Sequence, residues 1–219
     1  ISDWRYGGFD MKEYLPDLRT HAMETSPASH FWNGGIKINE FCETNVPGLY
    51  ACGEGTGSIH GANRVSGNAL TMTQVWGPRA GVYAGEYAVE TKGAAIDPNR
   101  VAEIKARIFA PLERRSGSDA IAMRKRAQHV AWEYIGVVRE EKGLWKGLEE
   151  IREIRSEAAD VCVSNKTRRY NHEWVESMQL GNMLDVMEMV AEASLVRKES
   201  RGALFRRDFP KTDNISWVK

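Results

Sequence analysis

The stretch Gly48-Leu-Tyr-Ala-Cys-Gly-Glu-Gly-Thr-Gly-Ser-Ile-His-Gly-Ala-Asn-Arg-Val-Ser-Gly-Asn-Ala-Leu70 constrains this chain more than any other part of it. It reads as a short apolar strand, Leu49 to Cys52, then a glycine-rich turn carrying one acid, Glu54, and one arginine, Arg64. A helix opens after it, at Asn68 or Ala69. A strand that runs through glycines into a helix start brings bare backbone against a ligand, because glycine has no side chain to hold the ligand off. The helix start adds N–H groups without intrahelical partners and a partial positive charge. A flat, polar, electron-rich molecule is the expected occupant.

Two regimes meet near residue 93. Upstream the chain is mixed and glycine-rich: Ile36-Lys37-Ile38 alternates as a strand, Asn45 to Gly48 turns, and residues 69 to 91 form one helix. Ala80, Gly81, Ala84, Gly85 and Ala88 are spaced along that helix to pack closely against a sheet. Downstream, Asp97-Pro98 opens a charged helical segment, with helices expected at 98–114, 118–140, 143–157 and 173–195 and a break at Gly136. In the last of these, Leu180, Met183, Leu184, Met187, Val190, Ala191 and Leu195 recur at three-to-four spacing, the apolar stripe of an amphipathic helix. The tail, 197–219, is polar and expected to be irregular.

Lys plus Arg and Asp plus Glu number 30 each, so the formal charge is zero and there is no electrostatic case for nucleic acid or an acidic membrane surface. No apolar run approaches the length of a membrane span, and no signal peptide is legible. Cys42, Cys52 and Cys162 are far apart and form no Cys-x-x-Cys pair, so buried thiols in a reducing compartment are expected, with neither a metal site nor an iron–sulfur cluster in this chain. The tryptophans and the Met183, Met187, Met189 cluster read as core.

Three segments carry a resemblance. Gly-Leu-Tyr-Ala-Cys-Gly-Glu54, with His-Gly-Ala-Asn-Arg64 and Gly-Asn-Ala-Leu70, resembles the flavoprotein subunit of succinate dehydrogenase and fumarate reductase. Ser26-Pro-Ala-Ser-His-Phe-Trp-Asn-Gly-Gly-Ile36 resembles that family's Pro-Thr-x-His-Tyr-x-x-Gly-Gly segment. Arg197-Lys-Glu-Ser-Arg-Gly-Ala-Leu-Phe-Arg-Arg-Asp-Phe-Pro210 resembles its C-terminal Arg-x-Glu-Ser-Arg-Gly-Ala-His-x-Arg-x-Asp-x-Pro signature. The resemblance implies an α+β chain: residues 1–93 as the C-terminal part of an FAD-binding, Rossmann-like domain, 97–196 as a helical bundle domain, and 197–219 as a tail. No Gly-x-Gly-x-x-Gly run opens a βαβ unit, so the chain reads as the C-terminal portion of a larger flavoprotein, incomplete and inactive alone and not retaining FAD. The pyrophosphate site, any covalent flavin linkage and the cap's proton donor are then expected outside it.

The implied activity is FAD-dependent hydride transfer between flavin and a small dicarboxylate such as fumarate or succinate. Arg64, taken alone, would be a surface or ion-paired arginine; beside a flavin it becomes the carboxylate clamp, since its planar fork pairs bidentately with a carboxylate. His30, alone a structural histidine, sits between a Ser-Pro turn and a Gly-Gly pair and is assigned to the same substrate end. Gly53, Glu54, Gly67, Asn68, Ala69 and Leu70 are the implied cofactor-binding residues: Glu54 accepts from ribityl or ribose hydroxyls, and Ala69 and Leu70 offer backbone N–H groups to the flavin pyrimidine. His60 has no assigned role. Leu204 stands where the family has histidine, Ala69 where serine is common, and Trp32-Asn33 is an unusual pair before Gly34-Gly35. A relative acting on another substrate, such as L-aspartate, is therefore an alternative, and so is a non-catalytic assembly module. The expected partners are the N-terminal FAD and capping region of the same protein and an iron–sulfur subunit, in the cytoplasm, with any membrane association supplied by partner subunits.

Overall fold

A glycine-rich loop, a run of helices and a hydrogen-bonded tail follow one another along this chain. The computed structural model describes residues 5–6, 9–10, 20, 30–93 and 95–217. These fall into two units, residues 1–32 and residues 33–219. In the first, β1 (Arg5–Tyr6) pairs antiparallel with β2 (Phe9–Asp10), Arg5 opposite Asp10 and Tyr6 opposite Phe9. In the second, the order is α1 (Asn68–Glu90), α2 (Pro98–Glu113), α3 (Ala120–Tyr134), β3 (Val138–Arg139), α4 (Glu141–Ala158), α5 (His172–Val196) and β4 (Phe205–Arg206). The fold is α+β, mostly helical with a small sheet.

Short polar side chains start α2, α3 and α5. Asp97 accepts from Asn99 N at 2.9 Å with Pro98 at the first position of α2, Asp119 accepts from Ile121 N at 2.8 Å at α3, and Asn171 accepts from Trp174 N at 3.0 Å at α5. The helix expected to run to residue 140 ends at Tyr134 instead. Arg139 turns back there, its Nε donating to Ile135 O at 2.9 Å and Gly136 O at 2.8 Å, which satisfies carbonyls the ended helix leaves open.

The core lies between α3, α4 and α5. Leu144, Leu148, Ile151 and Ile154 recur at three-to-four spacing on α4 and are fully buried, as are Leu180, Leu184 and Ala191 on α5. Met183, Val190 and Leu195 pack against this cluster half-buried, so the apolar stripe of α5 faces the core as its periodicity requires. Burying such a side chain contributes roughly 1.5–3 kcal/mol. Ion pairs rim the packing and give its sense: Arg152 meets Glu188 at 3.2 Å and Arg155 meets Asp185 at 2.5 Å, so α4 and α5 run antiparallel. Gly147 is needed where α4 crosses α3, since a Cβ there would lie 2.9 Å from Tyr134 Cβ.

The tail departs from the expected irregularity. β4 pairs in parallel with β3, Val138 opposite Phe205 and Arg139 opposite Arg206. Fully buried Arg206 pairs with Asp208 at 2.7 Å and donates to Ser194 O and Arg197 O at the C-terminal end of α5. Asp208 accepts from Glu141 N at 2.9 Å, serving the N-terminus of α4, whose own N-cap Glu140 makes no side-chain capping bond and instead faces Arg207 at 3.6 Å. One Arg–Asp pair thus puts positive charge at one helix C-terminus and negative charge at another's N-terminus, both favourable to the helix dipoles.

Four expectations fail, the first two of them in the first half. The stretches read as strands form only single bridges, Ile36 with Thr56 and Glu43 with Tyr50, because a ladder needs partner strands and none lies beside them among the described residues. The small-residue face of α1 is not packed for the same reason: Ala80 is buried, but a Cβ at Gly81 or Gly85 would meet nothing within 4 Å. Only Cys42 is a buried thiol; Cys52 is exposed and Cys162 intermediate. Trp132, Trp145 and Met189 are exposed rather than core.

Candidate functional site

The glycine loop is closed by backbone rather than by side-chain packing. Ile36 N donates to Gly55 O at 2.9 Å and Gly57 N to Ile36 O at 2.9 Å, bringing residues 35–36 alongside 55–57. Gly35 has φ 136°, and a Cβ on it would lie 2.1 Å from Gly55 O, so only glycine fits this approach. Buried Thr56 closes the next turn, its N and Oγ1 donating to Gly53 O at 3.0 and 2.7 Å, with Glu54 exposed inside it. His60 Nε2 lies 3.1 Å from the sulfur of buried Met72, which ties this loop to the first turns of α1.

Arg64 is half-buried and held through its backbone. Its N–H donates to Asn33 Oδ1 at 2.9 Å, while Asn33 Nδ2 donates to Asn63 Oδ1 at 3.4 Å and Arg64 Nη1 to Val65 O at 3.2 Å. From the C-terminal tail, Ala203 N donates to Ala62 O at 3.4 Å. The turn then runs into α1 through Gly67 at φ 88°, an N-cap that supplies no side-chain bond. The first-turn N–H groups at Asn68, Ala69 and Leu70 have no carbonyl four residues back within the helix. Asn68 N bonds Val65 O at 3.2 Å, and Leu70 is 71% exposed. A Cβ at Gly53, Gly55, Gly61 or Gly67 would meet nothing within 4 Å. Bare backbone beside an uncapped helix start fits the polar edge of a flat ring such as a flavin.

Of the residues assigned from sequence, Arg64, Gly67, Asn68, Ala69 and Leu70 form one continuous turn into α1, and Gly53 and Glu54 lie earlier on the same loop. His30 is exposed and belongs to the first unit, and Ser26 to Ser29 of its segment lie outside the described residues. Sequence reasoning missed Asn33 as a holder of Arg64. Its only signal was the unusual Trp32-Asn33 pair. The hollows along α4 (Trp145, Glu149, Arg152, Glu153, Ser156) and beside Tyr50 and Tyr87 are lined by neither Glu54 nor Arg64. No helix among the described residues is long and apolar enough to cross a membrane.

Comparison with known proteins gives two family matches, an FAD binding domain over residues 10–70 and a fumarate reductase flavoprotein C-terminal domain over residues 124–219. The chain belongs to the succinate dehydrogenase/fumarate reductase flavoprotein family. It is 41% identical over 206 residues to an uncharacterised FAD-dependent oxidoreductase of Methanocaldococcus jannaschii, covering 92% of this chain and 37% of that protein. It is 35% identical to a subunit of the CoM/CoB fumarate reductase of Methanothermobacter marburgensis, covering 90% of this chain and 35% of that protein. Its structure is similar to the Mycobacterium smegmatis Sdh1 complex in the apo form, with a TM-score of 0.86 and 32% identity over 90% of this chain and 34% of that one. This flavoprotein chain thus spans about a third of the length of the relatives it matches.

Proposed function

We propose that the complete protein is an FAD-dependent oxidoreductase that transfers hydride between flavin and a small dicarboxylate. In this reading residues 1–93 complete its FAD-binding domain and 97–196 form its helical domain. Bound FAD supplies the hydride donor or acceptor. Glu54 accepts hydrogen bonds from flavin-side hydroxyls, and the bare backbone at Gly53 and Gly67 lets a ring approach. The N-terminus of α1, through Asn68, Ala69 and Leu70, offers N–H donors and partial positive charge to the ring's electron-rich edge. Arg64 pairs with a substrate carboxylate and stabilises the negative charge that develops on it as the carbon–carbon double bond is reduced. A charge-assisted hydrogen bond of this kind contributes roughly 1.5–3 kcal/mol. His30 is assigned to substrate binding on its sequence segment.

One observation carries the reading: the single arginine of the glycine loop is fixed by its backbone immediately before an uncapped helix start. Titrating the complete, FAD-loaded protein with fumarate, succinate and L-aspartate while recording the flavin spectrum tests it. A saturable change with fumarate or succinate, weaker with the matching monocarboxylates, is expected. A response to aspartate alone would move the substrate to the amino-acid alternative. No response to any of them, or an equal one to monocarboxylates, would overturn the dicarboxylate reading. That relatives are named as subunits supports a partner, which we propose to be an iron–sulfur subunit; its co-purification with the complete protein is the check.

A further inference from the structure

Arg64 is gripped at two points by segments distant in sequence. Asn33 takes its backbone N–H at 2.9 Å and reaches Asn63 with its amide. Two residues before Arg64, the carbonyl of Ala62 lies against Gly202 of the tail and accepts from Ala203 N. We propose that Asn33 and Gly202 are positioning residues that clamp the Arg64 turn from two sides and set where its guanidinium meets a substrate carboxylate. This rests on the proposal that Arg64 binds that carboxylate.

The tail side of the clamp is the firmer one. Glu199 is fully buried, its carboxylate accepting from Arg197 at 2.5 Å, from Arg201 at 2.8 and 2.9 Å, and from Asp213 N at 2.8 Å. Arg201 and Leu204 exchange backbone bonds at 2.9 and 3.1 Å, closing the turn whose apex holds Gly202 at φ 59°. A Cβ on Gly202 would lie 2.1 Å from Ala62 O, where ordinary contact begins at 3.4 Å. With the tail pinned, the Arg64 turn is what yields, by about 1 Å, and a misplacement of that size can cost about 10²-fold in rate.

The test compares the complete, FAD-loaded protein with its Gly202→Ala and Asn33→Ala variants. Fumarate reduction by a reduced viologen dye is expressed per bound flavin, and amide hydrogen exchange is followed in the segment 60–66. Expressing turnover per flavin separates positioning from stability, since a merely structural role lowers the folded, flavin-bearing fraction and leaves KM and turnover per flavin alone. We expect kcat/KM per flavin to fall about 10²-fold in Gly202→Ala and about tenfold in Asn33→Ala, with KM raised and exchange at Asn63 and Arg64 faster. If Gly202→Ala fails to fold, Asn33→Ala decides alone. Unchanged KM and turnover per flavin in the folded variants overturns the clamp. If the wild type turns over no dicarboxylate, the functional reading has failed; faster exchange then still supports the clamp, and unchanged exchange overturns it.

Discussion

Glu54 is exposed in a turn that Thr56 closes through its bonds to Gly53 O, and in the proposed reading its carboxylate accepts from flavin-side hydroxyls. Glu54→Ala in the complete protein is therefore predicted to fold normally and lose FAD on desalting, read as flavin absorbance per protein; unchanged cofactor content would remove Glu54 from the site. Gly67 gives a second residue-scale prediction. At φ 88° any L side chain is strained by about 1–2 kcal/mol, so Gly67→Ala should lower the denaturation midpoint and weaken flavin binding together. The place of both on a glycine loop that runs into a helix start was legible in the sequence because that pattern is local. Asn33 was not: its bond to Arg64 spans 31 residues, and no periodicity encodes a single long-range hydrogen bond.

At the scale of elements, the helices were legible because their apolar spacing and the Asp97-Pro98 start are short-range signals. The expected break at Gly136 lies two residues past the end of α3 at Tyr134, but the helix does not resume to residue 140 because Arg139 and β3 take over. The strands were misread because alternation predicts a strand only where neighbours exist to pair with it. Removing part of the bundle core should be costly: Leu184→Ala is predicted to destabilise the helical domain by about 2–5 kcal/mol, measured by denaturant unfolding, with a loss under 1 kcal/mol contradicting its place in the core. The tail gives a pH prediction. Hydrogen bonding from Arg201 holds Glu199 down from 4.5 to about 2, and Arg206 holds Asp208 down from 3.8 to about 2. Because both values are lowered in the folded state, their stabilisation is complete above the ordinary values and is lost as pH falls through the window down to about 2. Thermal midpoints should therefore drop between about pH 4.5 and 2, and less steeply in Glu199→Gln. Parallel profiles for the two proteins would contradict the role of Glu199.

At the scale of the whole molecule, this chain spans about a third of its relatives' length. It carries the arginine, the glycine loop and the helix start, and braces them with a tail that reaches back from the far end of the sequence. The proposed chemistry turns on Arg64, the one arginine in the loop from Gly48 to Leu70. The most direct measurement is fumarate turnover per bound flavin in the complete protein and its Arg64→Ala variant. The variant is predicted to keep its FAD and to lose turnover by about 10²-fold or more, the effect of removing one strong charge-assisted contact. Turnover equal to the wild type, with FAD retained in both, would contradict it.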